Sequence, residues 1–283
     1  MHPLISTSDL ARAVAAGDPP TLLDVRWRLG GPPGRQDYAR GHLPGAVFVD
    51  LDTELAGAPG AGGRHPLPEP GALRQVLRRA GVRTGHPVVA YDAGDGSTAA
   101  RAWWLLRWAG HREVAVLDGG YPLWAAEGRP VTTDVPDPEP GDIEVRPGEM
   151  PVLDAAAAGR LATEGLLLDA RAPERYRGDT EPVDPRAGHV PGAVNAPFSQ
   201  HLGADGRWRA PAELAERFAA LGVSAARPVG AYCGSGVTAT SVVLALEVAG
   251  MTGADRPAAL YAGSWSHWCT DPSRPVATGD QPG

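Results

Sequence analysis

The sequence predicts an α/β protein of two tandem domains, each a mostly parallel sheet flanked by helices. Three observations carry this. Short apolar runs with strand character alternate with helix-like segments along the chain. Several runs, such as Val88-Val89-Ala90-Tyr91, are apolar without alternation, as strands covered on both faces are. The order of elements in the first half also recurs in the second, over a length that suits a duplicated domain rather than a solenoid unit. The 283 residues leave room for both copies, expected at 1–132 and 151–283 with a linker over 133–150.

In order, Ser8 to Ala16 reads as a short helix with Leu10, Ala11 and Val14 on one side. Leu22-Leu23-Asp24-Val25-Arg26 is a buried strand ending in polar residues, and Gly30 to Gly34 a loop. Gly41-His42-Leu43-Pro44-Gly45-Ala46 leads into the strand Val47-Phe48-Val49, and Gly57 to Gly63 is a second loop. Pro70 to Ala80 is helical, Pro87 to Asp92 a strand, Asp92 to Ser97 a loop, and Thr98 to Ala109 a helix carrying Trp103, Trp104 and Trp108 as core or contact residues. Val114 to Leu117 is a strand, followed by a short helix from Tyr121 to Ala126. The second copy repeats Leu22 to Arg26 as Leu166 to Arg171, Gly41 to Val47 as Gly188 to Val194, Pro87 to Asp92 as Pro228 to Cys233, and Leu117 to Tyr121 as Tyr261 to Trp265. Pro130 to Pro151, rich in Pro, Asp and Glu, suits an extended connection.

The net charge of -7, with no lysine, argues against a nucleic-acid footprint. No run is apolar for long enough to span a bilayer, and the N-terminus lacks the pattern of a signal peptide. Two cysteines, Cys233 and Cys269, make no disulfide framework, and no His/Cys cluster has zinc spacing. The expectation is a protein of a reducing compartment, the cytoplasm, with no metal and no cofactor.

The chemistry centres on Cys233. It ends an apolar strand and precedes Gly234-Ser235-Gly236-Val237-Thr238 and a helix-like run from Ala239. A sulfur there lies over a helix N-terminus, where free amides and the helix dipole stabilise an anion and so favour the nucleophilic thiolate. Glycines let successive amides turn inward. The alternative is a buried structural cysteine, the commoner fate of a lone one. In the first copy this position is Asp92, which cannot carry sulfur and is read as a cap for the following helix. Cys269, beside Trp268, is read as incidental.

The tandem Gly-His-x-Pro-Gly-Ala, the cysteine loop in the second half only, and the loop wording together resemble the rhodanese family, in particular its two-domain 3-mercaptopyruvate sulfurtransferases, over about Leu22 to Val276. The resemblance implies that Cys233 becomes a persulfide, with Ser235 relaying a proton. It implies that Arg175 and Arg186 hold the donor's carboxylate and keto oxygen, and that loop amides from Gly234, Gly236, Val237 and Thr238 line the site. It implies that His42 joins Ser235 and an acid, for which Asp37 is the nearest candidate, and that Trp27 lies near the site. Thiosulfate enzymes of the family carry Arg and Lys where this chain has Gly234 and Ser235, which favours 3-mercaptopyruvate over thiosulfate as donor. The acceptor would be a thiol such as thioredoxin, or cyanide.

Each residue has a plainer reading. Arg175 and Arg186 sit among Glu174, Asp179, Glu181 and Asp184 as surface ion pairs. His42 braces its Pro-Gly turn as its repeat His189 does, and Ser235 is a small residue chosen for fit. A cysteine phosphatase would need Arg six positions after the cysteine, where Ala239 stands, and a nucleotide loop would need a lysine. A binding module with a dead site is the remaining alternative.

Overall fold

The computed structural model describes residues 1–283 and contains two compact units. Unit 1 comprises Met1–Gly57, Pro68–Glu149 and Leu202–Trp208; unit 2 comprises Ala58–Leu67, Met150–His201 and Arg209–Gly283. Each half of the chain thus contributes one loop to the other half's unit, which no periodicity in the sequence indicates.

Unit 1 runs β1 (Leu4–Ile5), α1 (Thr7–Ala15), β2 (Thr21–Asp24), α2 (Gly34–Arg40), β3 (Val47–Phe48), α3 (Leu51–Glu54), α4 (Pro70–Arg79), β4 (Val88–Tyr91), α5 (Ser97–Trp108), β5 (Val114–Leu117) and α6 (Gly120–Ala126). Its strands pair in the order β1-β5-β4-β2-β3, all parallel. Unit 2 follows the same plan with α7 (Ala155–Glu164), β6 (Leu166–Asp169), α8 (Pro173–Arg177), β7 (Val194–Asn195), α9 (Pro211–Ala220), β8 (Val229–Tyr232), α10 (Ala239–Val248), β9 (Ala259–Leu260) and α11 (Ser264–Trp268). Its sheet order is β7-β6-β8-β9, again parallel, and a single bridge from Val152 to Leu260 stands where β1 stands in unit 1.

Strands β4, β5, β6 and β8 are buried throughout because helices cover both faces, which is why they read as continuous apolar runs. Leu10, Leu22, Val89, Tyr91 and Trp124 form one core, and Leu167, Tyr232, Tyr261, Trp265 and Trp268 the other. Trp103, Trp104 and Trp108 are buried on α5. The segment read as a loop after Gly30 ends in α2. Seven mostly polar residues hide that helix from a periodicity argument, and Pro33 supplies its start. The stretch after α6 has no helix or strand up to Ala155. It is strapped to unit 1 by the amides of Gly141, Ile143 and Arg146, which reach the carbonyls of Arg78, Val82 and Ala109.

Candidate active site

Strand β8 ends at Tyr232, so Cys233 is the first residue of the loop that leads into α10. The thiol is buried. The amide of Gly236 points at Sγ from 3.1 Å. Gly236 has φ +85°, and a Cβ there would collide with the Ala262 carbonyl oxygen, so only glycine lets this amide face the sulfur. A second loop braces the first. Ser264, the only non-glycine residue at positive φ (52°), accepts the Cys233 amide on Oγ at 3.1 Å and donates to the Tyr261 carbonyl at 2.9 Å. The amides of Trp265 and Ser266 reach the carbonyls of Cys233 (2.9 Å) and Gly234 (2.8 Å). A strained residue held by its own side chain, next to a nucleophile candidate, is the kind of feature that sites retain.

Ser235 is buried, and its Oγ lies 2.7 Å from Nδ1 of His65, which is also buried. His65 stands on the Ala58–Leu67 loop, encoded in the first half but part of unit 2. Arg64, its neighbour, reaches the same place. Its Nη1 pairs with Asp184, and a Cβ on Gly234 would stand 2.9 Å from its Nη2. Arg175 also approaches, 3.4 Å from that position through Nη1, while Glu181 takes its Nε (3.2 Å) and Nη2 (2.6 Å) and Asp184 its Nη2 (3.2 Å). Burial holds the Asp184 carboxyl above the usual range; the Arg64 and Arg175 guanidiniums pull it down and Glu181 raises it.

Val237 and Thr238 mainly begin α10, their carbonyls accepting the hydroxyls of Thr240 (2.6 Å) and Ser241 (2.7 Å). The expected roles of three further residues do not fit where the structure puts them. His42 lies in unit 1, fully buried and stacked on Tyr38 with ring centroids 3.7 Å apart. Its Nδ1 and Nε2 face the carbonyls of Tyr38 (2.8 Å) and Asp134 (3.0 Å). His189 does the same in unit 2, stacked on Tyr176 at 3.7 Å and facing the carbonyls of Tyr176 and Pro282. The histidine of the repeated turn is therefore a brace in both copies, and His65 takes the place beside Ser235. Asp37 pairs with Arg28 (2.5 Å) and Arg40 (2.9 Å) on α2, not with either histidine. Arg186 directs its Nη atoms to the backbone carbonyls of Asp271 and Arg274 at 3.1 to 3.3 Å, so it fastens the C-terminal loop. Trp27 donates its indole N–H to Asp52 at 2.9 Å. Cys269 is buried, and burial pushes its thiol up, away from nucleophilic character.

The family profile described as Rhodanese-like domain matches residues 6–127 and 154–271. A Mycobacterium tuberculosis protein named for thiosulfate sulfurtransferase activity, SseB, is 46% identical, over 98% of this chain and 97% of its own. A Pseudomonas aeruginosa protein named for 3-mercaptopyruvate sulfurtransferase activity is 47% identical over 98% of each. Among solved structures, SseA from Escherichia coli, titled as a 3-mercaptopyruvate sulfotransferase with the rhodanese fold, superposes with a TM-score of 0.80 at 29% identity, covering 94% of this chain and 100% of that one. No helix is long and apolar enough to cross a membrane.

Proposed function

The chain belongs to the rhodanese family, and from that premise we propose that it is a sulfurtransferase that moves sulfane sulfur from 3-mercaptopyruvate through a Cys233 persulfide to a thiol acceptor or cyanide. The observation that carries the reading is the arrangement within unit 2: the buried Cys233 sulfur under the Gly236 amide, beside the Ser235–His65 pair and two guanidiniums. Relatives named for thiosulfate and for 3-mercaptopyruvate are about equally similar, so the donor is argued from the site. The loop carries no cation of its own for a dianionic donor, since Gly234 and Ser235 follow the cysteine.

In the first half-reaction the Cys233 thiolate attacks the donor's thiol sulfur. The sulfur–sulfur bond forms as the carbon–sulfur bond breaks, and the electron pair leaves as the enolate of pyruvate. The proton from the donor's thiol passes by Ser235 and His65 to the enolate carbon, giving pyruvate and a persulfide anion. The Gly236 amide stabilises the sulfur's charge as donors do in an oxyanion hole. In the second half-reaction the acceptor attacks the outer sulfur and Cys233 leaves as thiolate. Cyanide gives thiocyanate; a thiol such as thioredoxin gives its own persulfide. Two unpaired cysteines suit a reducing compartment, and we place the reaction in the cytoplasm.

Initial rates with 3-mercaptopyruvate and with thiosulfate, side by side with a Cys233→Ser control, test the reading. A large preference for 3-mercaptopyruvate, ping-pong kinetics and a persulfide seen by mass spectrometry after donor alone are expected. A preference for thiosulfate overturns the donor, and sequential kinetics without persulfide overturn the mechanism.

A further inference from the structure

We propose that Arg64, on the loop that the first half of the chain contributes to unit 2, is the residue that recognises the donor's carboxylate. The proposal rests on the α-keto carboxylate donor argued above. A guanidinium offers a planar fork through Nε and Nη2, which matches the two oxygens of a carboxylate. This chain uses that fork repeatedly. Arg26 turns it on Asp24 (Nε 3.0 Å, Nη2 2.6 Å), and Arg171 turns it on Asp169 (3.0 and 2.6 Å). Arg175 turns it on Glu181 and so has only Nη1 left toward the loop. Arg186 is spent on backbone carbonyls.

Arg64 differs from all of these. It meets Asp184 through Nη1 alone. Its Nε is buried with no hydrogen-bond partner, and its Nη2 is the nearest atom to a Cβ built on Gly234, the residue after the candidate nucleophile. A buried cationic N–H left unpaired is costly, and here it belongs to a fork that no acidic side chain closes, beside the residue that follows Cys233. Asp184 holds the guanidinium through Nη1 without closing the fork. Glycine at 234 keeps any side chain of the loop out of contact with Nη2, since a Cβ there would stand 2.9 Å from it. A carboxylate seated at the fork would satisfy Nε and Nη2 together and leave the rest of a short donor to extend toward Sγ. Arg175, through Nη1, would supply a single further contact.

The test compares two donors with cyanide as acceptor: 3-mercaptopyruvate, and mercaptoacetone, which keeps the thiol and ketone but has a methyl group in place of the carboxylate. Arg64→Gln is expected to lower kcat/KM for 3-mercaptopyruvate by about 100-fold, chiefly through KM, and to change the mercaptoacetone rate by less than about threefold. Arg64→Lys keeps the charge and the Asp184 pair but loses the fork; it should still cost about tenfold with 3-mercaptopyruvate alone. Equal losses with both donors, or none, would overturn the proposal. Pyruvate binding to the Cys233→Ser protein, read by calorimetry, reports the same contact without turnover. Binding that is absent, or that survives Arg64→Gln, also overturns it. Pyruvate binding that depends on Arg64 in an enzyme that transfers sulfur only from thiosulfate overturns the donor reading instead.

Discussion

Replacing His65 by Gln removes the ring nitrogen 2.7 Å from the Ser235 hydroxyl and leaves the Cys233 loop intact. A positioned acid–base group contributes about 10² to 10⁴ in rate, or ~3–5 kcal/mol of barrier. Burial of both partners keeps the Ser235–His65 pair off the bottom of that range, because water cannot readily substitute. The loss should fall on one half-reaction. Loading Cys233 from 3-mercaptopyruvate must move a proton from thiol to carbon, whereas discharge to cyanide need not. Stopped-flow loading should therefore slow by about 10³-fold while discharge of preformed persulfide stays within about threefold. Ser235→Ala should match it, and the double variant should be little worse than either, since the two act as a unit. His42→Ala is the control. It strips a ring stacked on Tyr38 and leaves the Tyr38 and Asp134 carbonyls without their partner, costing about 2–4 kcal/mol of stability. Loading at the wild-type rate in His65→Gln, with slow loading in a folded His42→Ala protein, would refute the reasoning.

Gly236→Ala puts a side chain at φ +85° against the Ala262 carbonyl; a loss of about 3 kcal/mol by denaturant midpoint, with slower loading as the amide leaves Sγ, is expected. Arg186→Gln should lower stability by about 1–3 kcal/mol through the carbonyls of Asp271 and Arg274, with KM for 3-mercaptopyruvate moved less than about threefold; a large KM effect would restore it as a clamp. The Asp92 carboxyl is pushed up to about 6, by burial first and the Asp95 charge next, against the pull of the Ala99, Gly94 and Gly96 amides. A folded-state value above the unfolded one gives stability that is complete below about pH 4 and lost as pH rises through about 6, on the order of 3 kcal/mol. Chemical denaturation between pH 4 and 7 should show that slope in the wild type and not in Asp92→Asn; identical slopes would contradict the assignment.

What the sequence made legible was local. Strands β2, β4, β6 and β8 announce themselves as apolar runs, the cysteine loop as glycines between a strand and a helix, and the duplication as repeated wording. The repetition also held a warning about His42. A histidine present in both copies, when only one copy has the cysteine, is better explained by what both folds need, and His42 and His189 stack on Tyr38 and Tyr176 alike. Arg64 and His65 were harder to read. They follow a Gly-rich loop with no periodicity, and their membership of unit 2 is a tertiary fact. The one local signal was an unrepeated Arg-His pair set in a glycine- and proline-rich stretch. Arg186 misled because spacing along an irregular loop does not fix the direction of a long side chain; its backbone carbonyl meets Trp265 Nε1 at 2.8 Å while its guanidinium reaches the C-terminal loop.

The two copies show why one unit keeps the chemistry. In unit 1 the loop amides close on a side chain: Asp92 accepts from Gly94 (2.9 Å), Gly96 (3.2 Å), Thr98 (3.1 Å) and Ala99 (3.0 Å), so the acceptor on which these amides converge is already covalently present. The loop contributed from the other half seals it. Trp208 lies 2.7 Å from a Cβ built on Gly96 and donates its backbone N–H to Asp118 at 2.8 Å. In unit 2 the corresponding loop turns at Gly236 instead and holds a sulfur under that residue's amide, and the contributed loop brings a cation and a histidine instead of an indole. An anion cradle becomes a reactive site when its occupant is a nucleophile and its cover is polar. The first copy has neither, so its loop amides serve the fold, while the second turns a loop at the same place in the fold to a sulfur that must gain and lose charge in each turnover.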